Sequence, residues 1–583
     1  MSQSLTRRRF HRNLATTLAS SSILSGMPLL ASSQLSQTTS LPPSAPRFFY
    51  NNDGSFLLYC EPPLSADDFV YEAVGRLIGT RVDAVVCHMF SFGDAVPLYP
   101  TGIESARGRE PSRFEFVSEW RRQETLRDFW TKQIDPWKMA VEAAHAAGMQ
   151  YWVSMRFNDL HPKGYGWLSR FKDEHPEYEL GKKCGSGLHS PGSAESEHCT
   201  GLNFAIPQVR EHRLALIEEV CSRYNVEGFE WDFLRHPGHH FPAFSQGRQI
   251  LTDYMRRVRT TLQKIGERRG RALGFGIRVP ATLEKCHRIG LDVASWISDR
   301  LVDYVSPAAY ADTATDLPFD TFVSLTRRTQ CRIYACPSDC YGPGRHQYPS
   351  PEVLRAGALN AWKKGVDGIY LYNFHHPTIY NDSMTEVLHQ LDLQASLQFH
   401  DKQYVVTGPY TTLKYPNFTS VFEAYSYQLP MKLSEQSSKP NPAISFEVGD
   451  DLTTAERRGI LASITLELGV FGYTSEDRME FKLNGRILPG NPHVQLHPED
   501  YRTRPDWYAY RGNLLLNYDL DVEWIQSGRN QLDVTLKRRN PRLSSDLVLQ
   551  NLALTIRYRA LPMRINREEM PSRRVNVGAE IEQ

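Results

Sequence analysis

The sequence predicts an α/β chain: a closed (β/α)8 barrel followed by an antiparallel β-sandwich of jelly-roll-like character. Between Arg47 and about Gln394, eight short apolar runs occur, and each after the first is preceded by a helical pattern, the count that closes a parallel barrel. No G-x-G-x-x-G follows the first strand and no G-x-x-x-x-G-K-[ST] occurs, which disfavours an open doubly wound sheet with a phosphate loop. Past Leu393 the pattern changes to short alternating strands broken by Asn, Asp, Gly and Pro, as in a sandwich.

The elements follow in order. Arg47 to Tyr50 reads as the first strand, Ala66 to Ile78 as an amphipathic helix, and Val82 to Phe90 as the second strand. Trp137 to Ala147 is an alanine-rich helix stopped by Gly148, and Gln150 to Phe157 is the third strand. Pro207 opens a helix at its first turn, and Val226 onward is the fourth strand. Leu251 to Ile265 has helical spacing, and Leu273 to Val279 is the fifth strand. Helices over Leu291 to Leu301 and Phe322 to Thr329 lead to strands Val302 to Tyr310 and Cys331 to Cys336. Ser350-Pro351-Glu352 is a helix start, and Val366 to Phe374 is the eighth strand. The insertions Tyr99 to Gln133 and Leu160 to Leu202 carry no periodicity. In the sandwich, Met479-Phe481-Leu483 ends at an Asn484-Gly485 turn, and Leu532 to Leu536 and Leu552 to Tyr558 alternate cleanly.

Four regions result: a leader and linker (1–46), the barrel (47–394), the sandwich (395–563) and a polar tail (564–583). Within the leader, Thr6-Arg7-Arg8-Arg9-Phe10 precedes a mildly apolar run from Leu14 to Ala31, the pattern of a twin-arginine export signal. Export to the periplasm or the medium is the expectation. No other run approaches the roughly 20 apolar residues of a membrane span. A formal net charge of +1 over 583 residues gives no electrostatic reason to expect nucleic acid as partner. Nine cysteines are scattered. Cys331, Cys336 and Cys340 read as buried thiols, and Cys184 with Cys199 as a candidate disulfide.

The chemistry gathers in VEGFEWDFLRHPGHH, Val226 to His240. Alternation in Phe229-Glu230-Trp231-Asp232-Phe233 puts two carboxylates on one strand face and the aromatics on the other. Such crowding raises the pKa of one acid while another stays ionised; the bland reading is an ion pair with Arg235. Barrel chemistry collects at the carboxyl ends of the strands. Those ends supply Asn52 and Asp53, His88, Arg156, Asn158 and Asp159, then Glu230, Asp232, Arg235 and His236, then Arg278. The last three supply Tyr310 and Asp312, Asp339 and Tyr341, and Tyr372, Asn373 and His375. Carboxylates, hydrogen-bonding groups and aromatic faces on one concave surface suit a polyhydroxylated ligand.

The segment GLNFAIPQVREHRLALIEEVCSRYNVEGFEWDFLRHP resembles its counterpart in a poorly characterised family of glycosyl-hydrolase-like bacterial barrels. VDYVSPAAY and VDGIYLYNF resemble the same group's sixth and eighth strands, and FKLNGRIL with NYDLDVEWIQSGRNQLDV resembles jelly-roll modules appended to carbohydrate-active enzymes. The resemblance implies glycosidase chemistry on a poly- or oligosaccharide with Asp232 as a principal carboxylate, and no cofactor. Glu230 departs from the family's familiar strand-four ending. Asp232 is then the nucleophile or base, pressed by Glu230 and oriented by Arg156 or Arg278, with Asp339 across the mouth as its partner and Asp312 in reserve. Two alternatives stay open. One is a barrel that binds carbohydrate without cleaving it. The other is a metal-dependent hydrolase using His88, His236 and His375, which no H-E-x-x-H supports.

Overall fold

The computed structural model describes residues 45–92, 94–108, 113–159, 169–180, 201–235, 240–241, 244–309, 313–339, 348–375, 383–406, 428–435, 441–496 and 513–559. The leader, the polar tail, Cys184, Cys199 and Cys340 lie outside them.

Eight parallel strands close in chain order: β1 (Phe48–Asn52), β2 (Ala84–His88), β3 (Gln150–Arg156), β4 (Gly228–Asp232), β5 (Gly274–Pro280), β6 (Tyr304–Ala308), β7 (Arg332–Ala335) and β8 (Gly368–Leu371). Side chains alternate across each strand. Phe229 and Trp231 of β4, and Phe233 just beyond it, therefore join the apolar layer under the helices, while Phe49, Ala84, Val86, Trp152, Tyr304, Tyr334 and Tyr370 fill the interior. Glycines make room for these large rings. A Cβ on Gly228 or Gly274 would come within 2.3 or 2.2 Å of the Trp152 indole, and one on Gly276 within 2.0 Å of Tyr304.

The helices start where capping chemistry starts them. Pro207 begins Pro207–Arg223, and Ser350 accepts from Val353 N ahead of Pro351–Lys363. The helix expected over Leu291 to Leu301 is present as the shorter Val293–Ser298; a helix not expected, Leu283–Arg288, precedes it, and the two are parted at Gly290, whose φ of +85° a helix cannot hold. The insertion Tyr99 to Gln133 contains a helix, Val117–Thr131, with no apolar periodicity because much of its buried face is polar: Glu119, Arg122, Gln123 and Thr125.

After the barrel come two antiparallel sheets. One has the order β10-β18-β12-β16-β15 with β9 beside β18, and the other the order β11-β17-β13-β14. Their strands run from β9 (Lys402–Val406), β10 (Met431–Lys432), β11 (Ile444–Val448) and β12 (Leu461–Phe471) to β13 (Arg478–Leu483) and β14 (Arg486–Ile487). β15 (His493–Leu496), β16 (Asn513–Leu520), β17 (Gly528–Arg538) and β18 (Val548–Tyr558) complete them. Leu466, Leu468 and Ile556 of one sheet share an apolar cluster with Phe446, Leu532 and Val534 of the other. Asn484 and Gly485 take φ of +52° and +81° between β13 and β14, as the Asn-Gly pair demands. Asn360 of the last barrel helix donates to the Glu447 carbonyl at 3.0 Å, tying this β-rich region to the barrel. Among the described residues no helix is long and apolar enough to cross a membrane.

Candidate active site at the barrel mouth

Register sets the site. Asp232 pairs with Arg156 on β3 and with Arg278 on β5, so a carboxylate stands between two arginines in one row across three strand ends. Oδ1 of Asp232 accepts from Leu234 N (3.0 Å), Arg235 N (3.1 Å) and Arg278 Nη1 (2.9 Å). Oδ2 takes no hydrogen bond among the described residues. Burial of Asp232 works against its charge, but Arg278 and Arg156 outweigh it and hold the carboxyl below its ordinary pKa. The ion pair is with Arg278 rather than with Arg235, which contributes its backbone N–H instead.

Glu230 lies two residues earlier on the same inward face. Tyr304 donates to its Oε2 at 2.8 Å and Tyr370 to its Oε1 at 2.9 Å. Burial, and then the Asp232 charge, push the Glu230 pKa up to about 7 against the hydrogen bonds of Ser154, Tyr304 and Tyr370. Neither tyrosine is among the residues expected from the strand ends, because both sit within their strands rather than at the carboxyl ends. Alternation in VDYVSPAAY and VDGIYLYNF was the signal that could have found them.

A second buried group joins β1, β3 and β8. Arg156 donates to Asp53 Oδ2 (2.9 Å) and Asp159 Oδ2 (3.0 Å), and its guanidinium stands 4.4 Å from the centre of the Phe92 ring. Asp53 also accepts from Ser55 N at 3.0 Å, and His375 Nε2 lies 3.0 Å from Ser55 Oγ. His88 places Nδ1 3.0 Å from the Ser154 carbonyl; burial, and then Arg156, lower its pKa to about 4. Tyr372 lays its ring on Arg278, whose Cζ is 3.4 Å from the ring centre. Asp339, after β7, accepts from Ser338 Oγ at 3.0 Å and donates its N–H to Tyr372 O at 3.1 Å.

Two expected residues serve the backbone instead. Asn52 accepts from Gly54 N and reaches the Glu72 carbonyl of an outer helix, while Asn51, which sequence reasoning missed, faces inward and accepts from Asn373 N at 3.1 Å. β1 is buried on both faces, so its composition does not show which asparagine points in. Asn158 clamps Leu202, accepting from its N and donating to its O, both at 3.0 Å. His236, Tyr310, Asp312 and Tyr341 lie outside the described residues. No group of three or more His, Cys, Asp or Glu placed to hold a metal ion occurs among the described residues.

No protein-family model matches the chain, and no curated protein matches it. Among solved structures it is similar to the PgaB (BpsB) glycoside hydrolase domain of Bordetella bronchiseptica, at 12% identity and a TM-score of 0.37 over 59% of this chain and 98% of that one. It is also similar to a glycoside hydrolase family 18 N-acetylglucosaminidase from Paenibacillus barengoltzii, at 11% identity and a TM-score of 0.33 over 59% and 99%. A third is alpha-L-fucosidase isoenzyme 2 from Paenibacillus thiaminolyticus, at 12% and 0.35 over 60% of this chain and 49% of that one. Likenesses at this level assign neither a substrate nor a catalytic residue to this chain.

Proposed function

We propose that this protein is an exported glycoside hydrolase acting on a poly- or oligosaccharide at the barrel mouth. The observation that carries the reading is Asp232: ionised, at the carboxyl end of β4, with Oδ1 fixed by three donors and Oδ2 left without one among the described residues. A carboxylate held this way presents one oriented oxygen to an anomeric carbon or to an attacking water. Asp339, three strands away on the same rim, protonates the leaving oxygen. Glu230, enclosed by two tyrosine hydroxyls, acts through Asp232: while protonated it adds no second negative charge beside the working carboxylate.

Reducing-end release over a panel of glycans tests this. Asp232→Asn keeps an acceptor for Arg278 but loses the charge, and turnover should fall on the order of 10³-fold or more. Full activity in that variant overturns the assignment. The paired Asp53–Arg156–Asp159 group would equally suit a barrel that binds sugar without cleaving it. Binding by the wild type with no release from any glycan decides for that second reading. Export rests on the Arg7-Arg8-Arg9 pattern, and a reporter fused to residues 1–46 should leave the cytoplasm only while those arginines are intact.

A further inference from the structure

The mouth holds four buried polar atoms that have no hydrogen-bond partner among the described residues: His88 Nε2, Ser306 Oγ, Tyr372 Oη and Asn373 Oδ1. Each belongs to an inward-facing strand position or to the segment just beyond β8, and each parent residue is more than nine-tenths buried. Leaving such atoms buried and unmatched is unfavourable, so their gathering here marks where a bound molecule supplies the missing groups.

Two of the four have fixed polarity. The Ser154 carbonyl can only accept, so the proton of His88 is on Nδ1 and Nε2 presents a lone pair. Asn373 is held by its own N–H donating to Asn51 Oδ1, and its Oδ1 is an acceptor. Tyr372 and Ser306 are hydroxyls that adapt to either role. Of the three guanidiniums nearby, Arg156 is matched by Asp53 and Asp159 and Arg278 by Asp232, while Arg235, just past β4, acts on Tyr372. An anionic group entering here meets two lone pairs and three carboxylates, with the Arg156 and Arg278 guanidiniums engaged.

Building on the proposed carbohydrate reading, we infer that the sugar unit seated at the mouth is neutral, with hydroxyl or amide N–H groups donating to His88 Nε2 and Asn373 Oδ1, and that uronic-acid and sulfated chains are excluded. Both residues touch the ligand and set which sugars enter.

Affinity electrophoresis and titration calorimetry on the full chain, with a neutral glucan, chitooligosaccharides, polygalacturonate and chondroitin sulfate, test this without requiring turnover. Neutral chains should bind at least 10-fold more tightly than anionic ones. His88→Phe removes the acceptor and should weaken neutral-chain binding at least 10-fold. Asn373→Gly should do the same, with the backbone secure because Asn373 has φ of +54°, which glycine accommodates. Equal or tighter binding of an anionic chain, wild-type affinity in both variants, or no binding of any glycan overturns the inference. If neutral chains bind in this His88-dependent way and no reducing ends appear, the hydrolase reading fails and this one stands.

Discussion

Glu230 and Asp232 are separated by one residue on one strand face, yet their surroundings drive them in opposite directions. Asp232 has a guanidinium on either side and is held ionised; Glu230 has two phenols, the Ser154 hydroxyl and Gly276 beside it and is pushed toward the neutral acid. Both are almost completely buried. Burial therefore does not explain the difference. What differs is whether a full positive charge or only neutral hydroxyl dipoles answer the carboxylate. A barrel can thus stack an ionised layer on a near-neutral one within two residues of chain.

The largest effect expected is on the ionised layer. Arg278→Met leaves Asp232 buried without its partner, and stability should fall by about 3–5 kcal/mol in denaturant unfolding at pH 7. A loss below about 1 kcal/mol would show that Arg156 alone suffices and that the layer is less sharply defined.

The near-neutral layer is tested by pH. Glu230 titrates at about 7 in the folded chain against an ordinary value of 4.5, so between these values the native state keeps a proton that the unfolded chain releases. This contributes a progressive loss of stability as pH rises from about 4.5 to 7. Asp232, whose pKa is lowered, has the opposite sign: its contribution is present above its unfolded pKa and is lost as pH falls through the folded value. Glu230→Gln should therefore gain about 3 kcal/mol relative to wild type between pH 5 and pH 8. Parallel unfolding curves for the two proteins across that range would remove the contrast between the layers.

The smallest effect sharpens it. Tyr370→Phe removes one donor to Glu230. It should cost about 1 kcal/mol at pH 5 and up to about 3 kcal/mol at pH 8, where the carboxylate is charged, measured by the same unfolding curves.

Much of this arrangement was legible in the chain. Alternation alone puts Glu230 and Asp232 on the inner face and Phe229, Trp231 and Phe233 on the outer one, and the structure has them so. Eight runs give eight strands. The helix Val117–Thr131 was not legible, since a helix that buries Glu119, Arg122 and Thr125 has no apolar stripe to read. The inward asparagine of β1 was hidden for the related reason that both faces of that strand are covered.

By itself the sequence determined the strand count and, where a strand alternates, which side chains face inward, because a side-chain period of two is local geometry. Only the tertiary structure decided partners: Arg278 rather than Arg235 for Asp232, and Tyr304 and Tyr370, 74 and 140 residues away in sequence, for Glu230. Those choices follow from how far each strand is staggered against its neighbours when the ring closes, a property of the whole sheet that no single stretch of chain contains.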